Sequence, residues 1–485
     1  MSPVILFSFV LLYFLVLLGV AYYTSRNSTN ETFFIGNKSS HWALVAFGMI
    51  GTSLSGVTFI SVPGTVSAAG FGYFQVVLGY FIGYFAVAYI LLPLYYRLNL
   101  TSIYNYLDQR FGTRSHRTGA LFFILSRTLG ATLRLYLVIN VMQLFILDAM
   151  GISFHVTAII IMLMILMYTF KGGVKTIVWT DTLQTFFMLL ALVVCVFYII
   201  NDLGLSFPQA WEQMTASGYT KMFNTDVMDK KFFLKQVIGG AFITIAMTGL
   251  DQEMMQKNIS VKKLGDSQKN MITFSTVMVL VNFLFLLLGG LLYLYAANKG
   301  ITTAGDDLFP TIAMQYLPAS ISVIFIIGLI SALFPSADGA ITALTSSFCI
   351  DILGIQQNEK LNDEQRSKTR KTVHLGFAVI FILFVFFFKE LNNKSIIGIL
   401  LDVAGYTYGP LLGLFAFGIL NKRSLNDKMV PAVCIVAPVL CYVLQHYSSA
   451  VLGAYQIGIE LLILNGAMTY AGLFLISHRK AAQTA

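Results

Sequence analysis

The chain has 485 residues, of which 57% are hydrophobic and only 11% charged, with a net charge of +9. A soluble globular domain carries roughly twice that charged fraction, so composition excludes that class. The basic excess does not mark a nucleic-acid binder either, because it is distributed loop by loop in the way a membrane topology requires.

Apolar runs long enough to cross a bilayer as helices recur along the whole sequence. They fall at about 4–23, 42–62, 70–96, 118–147, 152–169, 177–200, 236–256, 271–297, 317–350, 373–389, 396–420, 429–447 and 452–476. The expected fold is therefore an all-α polytopic membrane protein of about thirteen transmembrane helices. The first run follows MSPV, which lacks a basic n-region, so it reads as a retained helix rather than a signal peptide. Of the 31 basic residues, 22 fall in alternate loops on one side and seven on the other, while Arg127 and Arg134 lie inside a run. The rich side includes Lys38, Lys257 and Lys480 and the poor side Lys394. By the positive-inside rule the N-terminus faces out and the C-terminus lies in the cytoplasm, with the chain multi-pass in the cell (inner) membrane.

The run at 42–62 reads AFGMIGTSLSGVTFISVPG, its centre crowded with Gly51, Thr52, Ser53, Ser55, Gly56 and Thr58. Five runs later, 236–256 carries Gly239, Gly240, Thr244, Thr248 and Gly249 before DQEMMQ. Interrupted segments at corresponding positions of two halves point to a transporter's binding site. Close helix packing by small residues is the competing explanation. Between them, the run at 118–147 holds Arg127 and Arg134, seven residues apart on one helical face. The loop at 201–235 is external and long enough for a short amphipathic helix. The run at 317–350 ends in FPSADGAITALTSSF, where Asp338 is a carboxylate in a hydrocarbon setting. Such a residue costs several kcal/mol unless compensated, and is functional by default. Cys195, Cys349, Cys434 and Cys441 all sit in apolar runs, so neither a disulfide framework nor a metal site is expected. The sequence contains no HExxH, GxSxG or GxxxxGK, and an enzyme is not expected.

Four stretches resemble signatures of the sodium:solute symporter family: TSIYNYLDQRFG (101–112), GGVKTIVWTDTLQ (172–184), LDQEMMQK (250–257), with Lys257 in place of arginine, and LDVAGYTYGPLLGLF (401–415). The resemblance implies a leucine-transporter-like core of two inverted five-helix repeats, at 42–200 and 236–423. An extra helix and loop (1–41) would precede it, the external loop 201–235 would divide it, and two helices with a short tail (424–485) would follow. It also implies coupling to sodium, with one ion held by backbone carbonyls of Gly51 and Leu54 facing Ala332, Pro335 and Ser336. The family has two adjacent serines where this chain has Pro335-Ser336. Proline lacks an N–H, so the carbonyl of Ser331 is freed and supplies a hard oxygen in place of the missing hydroxyl.

Some members of the family carry a second sodium site that uses the aspartate of the WTD motif, here Asp181. Asp338 stands where one of that site's serines would be. Two carboxylates brought close require a sodium ion, a shared proton or an arginine between them. Arg134 falls where carboxylate-transporting members, sialic-acid carriers among them, place an arginine on the substrate carboxylate, a match for its guanidinium fork. Its other readings are a structural pair with Asp338 or Asp181, and snorkelling. Ser55, Thr58 and Gln75 complete the candidate solute contacts. The implied function is sodium-coupled import of a small organic solute, anionic in the form of a carboxylate or acidic sugar, by alternating access. Proton coupling through Asp338 or Asp181, and a transporter-like solute sensor, are the alternatives. The expected partners are the solute and the lipid bilayer, with no nucleic acid, no obligate protein partner and no organic cofactor.

Overall fold

Backbone polar groups in hydrocarbon must be satisfied within their own segment, so a chain this apolar is forced into helices. The computed structural model describes residues 2–26, 40–391 and 396–479. Lys38, Lys394 and Lys480, which enter the charge asymmetry, lie outside the described residues. Among the described residues eight helices are long and apolar enough to span a bilayer, and two sharply bent pairs raise the number to ten. Phe154–Phe170, Val430–His446 and Leu461–Leu475 are shorter apolar helices. Counting these too, each of the thirteen expected runs has its helix.

Both interrupted runs are broken helices. Trp42–Gly64 kinks at Ser55, whose backbone sits at φ 47° and ψ 171°. A non-glycine residue there stores on the order of 1–3 kcal/mol of strain, a cost that persists only where the surroundings enforce it. The second break separates Phe233–Gly249 from Gln252–Ile259, which leave each other at 65°. It follows a π-helical turn at Ile245–Gly249, and its freed carbonyls are capped by buried tyrosines. Tyr95 donates to Gly249 O at 2.7 Å and Tyr104 to Leu250 O at 2.8 Å. The new helix restarts on an Asp251 side chain that accepts from Met254 N–H, a regular N-cap.

The two broken helices are seated on close neighbours. Gly51 N–H donates to Thr185 Oγ1 at 3.0 Å, and a side chain at Gly51 would strike that hydroxyl. Gly79 and Gly83 of Tyr73–Arg97 lie against the backbone of Gly240 and Ala241, as small residues permit in membrane helices. Phe154–Asp202 runs through a kink at Gly173 (φ 57°), left-handed backbone that glycine adopts without steric penalty. That kink opens the WTD segment, which packs beside Ala319–Ser347. The first helix, Pro3–Thr24, is tied in by Ser331, whose hydroxyl donates to Tyr13 OH at 2.7 Å. In the 201–235 loop a short helix forms at Phe207–Ala216, with Ala210 and Met214 buried.

Candidate functional site

A helix that stops inside the membrane leaves unpaired carbonyls on one side of the break and unpaired N–H groups on the other. Both breaks border one cavity of about 100 Å³. Its wall carries Ser55 and Thr58 from the first broken helix and Thr244 and Thr248 from the second. Tyr73, Tyr80 and Tyr84 add an aromatic side, with the Tyr73 and Tyr80 hydroxyls 3.3 Å apart. Asn282 adds an amide, and Leu400 and Leu401 close the cavity with apolar surface.

Arg134 also lines this cavity. It is 8% exposed, its Nε has no hydrogen-bond partner, and among the described residues no carboxylate lies within ion-pair distance of it. The expected alternatives for Arg134, a pair with Asp338 or Asp181, are thus not formed. A buried guanidinium without a counter-ion is costly, and a carboxylate solute would compensate it. Arg127, two turns away, is committed elsewhere: it pairs with Glu253, and its Nε lies 3.9 Å from Asp251 Oδ2. Tyr408 OH donates to the same Asp251 oxygen at 3.0 Å. Arg127 is therefore a paired residue and does not snorkel.

Gln75 stays outside the cavity. Its amide N–H₂ donates to Gly72 O at 2.9 Å and its carbonyl accepts from Asn224 N–H at 3.2 Å. This glutamine fastens the 201–235 loop to the start of Tyr73–Arg97. Its polarity is spent on backbone.

Gly51 and Leu54, two of the residues read as sodium ligands, lie just before the first break. Gly51 to Leu54 form the last helical turn before Ser55, so their carbonyls lack the N–H partners a continuing helix would give. Ala319–Ser347 packs against this helix, and its Ala332, Pro335 and Ser336 are buried. Ser336 Oγ is fully buried and has no partner. These are uncharged oxygen donors in a dry place, the chemistry a small hard cation selects.

Asp181 and Asp338 both come to the interface between Phe154–Asp202 and Ala319–Ile352, and both are 0% exposed. Asp338 is held by Tyr168, whose hydroxyl donates to Oδ2 at 2.7 Å. Asp181 meets a cation that the sequence placed elsewhere. Lys257 Nζ lies 2.7 Å from Asp181 Oδ2, 2.7 Å from Thr52 Oγ1 and 3.2 Å from Glu253 Oε1. Lys257 was expected in a cytoplasmic loop; the 65° bend folds it into the core, where it is 3% exposed. The sequence signal for it was local: Glu253 and Lys257 are an i,i+4 pair on one helix face. Tyr168, in contrast, is 170 positions from Asp338 and gave no signal.

The family model for the sodium:solute symporter family matches residues 33–428. Relatives include the sodium/sialic acid symporter SiaT of Proteus mirabilis, 24% identical over 90% of this chain and 88% of its own. The sodium/sialic acid symporter NanT of Aliivibrio fischeri is 22% identical over 87% of this chain and 84% of its own. Among solved structures, a substrate-bound, outward-open Na⁺-coupled sialic acid symporter superposes with a TM-score of 0.84 at 21% identity, covering 98% of this chain and 99% of that one. A nucleobase-cation-symport-1 transporter in a closed conformation superposes with a TM-score of 0.56 at 13% identity, covering 93% and 94%. The fold is that of the inverted-repeat symporters.

Proposed function

The chain belongs to the sodium:solute symporter family, and from that premise we propose that its solute is an acidic sugar of the sialic-acid kind, gripped by Arg134. It is a multi-pass membrane symporter coupled to sodium, and it is not an enzyme. The observation that carries the substrate reading is a buried Arg134 with no carboxylate partner, in a cavity lined by hydroxyls, tyrosines and apolar side chains, with the Glu253-paired Arg127 also on its wall. The guanidinium suits a bidentate carboxylate, and the surrounding Ser55, Thr58, Thr244 and Asn282 suit a polyhydroxylated ring. Relatives named for sialic acid support the same choice.

In this reading residues 42–200 and 236–423 are the two repeats, which alternate access around the cavity between their broken helices. The N-terminus faces out and the C-terminus the cytoplasm, as the loop charges favour. Sodium sits among the carbonyls of Gly51, Leu54 and Ala332 and the hydroxyl of Ser336, with Pro335 contributing through the carbonyl it frees at Ser331. Binding there would join the end of the first half-helix to Ala319–Ser347, so ion occupancy shapes the cavity wall at Ser55.

The test is ligand-dependent thermal stabilisation of the purified protein, since a ligand that binds only the folded state raises its melting temperature. Sodium is expected to stabilise where potassium does not, and N-acetylneuraminate to add a further shift only when sodium is present. A neutral hexose giving the larger shift, or a shift independent of sodium, would remove the acidic-sugar reading. Pro335→Ser is expected to change the half-stabilising sodium concentration several-fold, because it restores a hydroxyl and takes away a free carbonyl together. An unchanged sodium dependence in that variant would sink the role given to Pro335.

A further inference from the structure

Lys257 is the one intramembrane cation in contact with Asp181 among the described residues, and its environment is complete. An ammonium has three N–H donors. Here they meet three oxygens, from Thr52 and Asp181 at 2.7 Å and Glu253 at 3.2 Å. Thr52 Oγ1 in turn donates to Asp181 Oδ2 at 3.0 Å, so the three chains of atoms close into one unit. The oxygens come from three helices: the first broken helix, the WTD segment and the bent-in Gln252–Ile259. This is a cage for a monovalent cation of about the size of an ammonium, and the chain fills it with its own side chain.

We propose that Lys257 is a built-in cation that takes the place of a transported ion at Asp181, so that this symporter moves one sodium per solute. The inference rests on the sodium-coupled reading above and deepens it by fixing the ion count. A sodium ion seeking Asp181 would have to sit within hydrogen-bond range of a like charge, in a place too dry to screen the repulsion. Asp181 Oδ1, without a partner, is the only carboxylate oxygen of the cage left to attract it. Asp338 has donors of its own, the Tyr168 hydroxyl on Oδ2 and the Gly339 N–H on Oδ1. The ammonium is tethered to its helix by four methylenes, and that helix is part of the second broken segment. Its charge therefore stays with the protein through the cycle, where a sodium ion would leave.

The measurement is the sodium-to-solute ratio, taken from the sodium gradient that just cancels net N-acetylneuraminate flux against a set solute gradient in proteoliposomes with the membrane potential clamped at zero. The native protein is expected to give a ratio of one. Lys257→Ala leaves the Asp181, Thr52 and Glu253 oxygens and removes the ammonium. That variant is expected to steepen the sodium dependence of thermal stabilisation, from a Hill slope of about one towards two, as the cage becomes an ion site. A ratio of two in the native protein, with flux intact, would overturn the inference while leaving the sodium-coupled reading in place. Absence of any sodium-driven flux in the native protein would overturn that reading and this inference together. If Lys257→Ala does not fold, the native ratio decides alone.

Discussion

Replacing Arg134 by glutamine is expected to raise the half-saturating concentration for an acidic sugar between about tenfold and a hundredfold. Hydrogen bonds to charged groups contribute roughly 1.5–3 kcal/mol, and each 1.4 kcal/mol is about one decade of affinity. The same substitution should leave the folded protein at least as stable as before. Arg134 is buried without a carboxylate partner, so removing its charge removes a desolvation cost and breaks no ion pair. Affinity and melting temperature should therefore move independently. The check is equilibrium binding in saturating sodium beside a melting curve without solute. A large loss of stability with unchanged affinity would show that Arg134 is a structural residue.

Arg127→Gln is expected to do the opposite. It breaks a pair with Glu253 whose members are 5% and 2% exposed and withdraws the guanidinium from Asp251. Removing one partner of a buried pair costs about 3–5 kcal/mol where it strands the remaining charge; here Glu253 keeps Lys257 at 3.2 Å, and Asp251 loses its nearby guanidinium. The single variant should melt far below the native protein or fail to yield folded material. Arg127→Gln combined with Glu253→Gln should recover part of the loss, since the carboxylate left with Lys257 alone is then neutral. Equal stability of the single and double variants would show that the pair is not what holds this region. The contrast between two arginines on one helix face is the sharpest consequence of the structure. Charge, burial and spacing are alike; partners are different.

The architecture was legible because hydrophobic length and small-residue clusters are local signals. The crowded glycines and hydroxyls at 51–58 and 239–249 marked both breaks, and both are broken helices. The cavity was legible in part. Ser55, Thr58 and Arg134 line it, whereas Gln75 has turned to the backbone of Gly72 and Asn224, a choice that depends on how a distant loop returns. The electrostatics were least legible. Which acid meets which base is decided by tertiary placement: Lys257 reaches Asp181 only because its helix bends at Leu250, and Asp338 is compensated by a tyrosine from another span. A run of charges such as LDQEMMQK looks like a solvated loop until the fold turns it inward.

The central claim, sodium-driven movement of an acidic sugar, is tested most directly by uptake of radiolabelled N-acetylneuraminate into proteoliposomes. An inward sodium gradient is compared with an equal potassium gradient and with an inward proton gradient in potassium. The account predicts accumulation above equilibrium under the sodium gradient alone, and its loss when sodium is equal on both sides with the membrane potential clamped at zero. Accumulation driven by the proton gradient without sodium would contradict it and move the coupling to Asp338 and Tyr168.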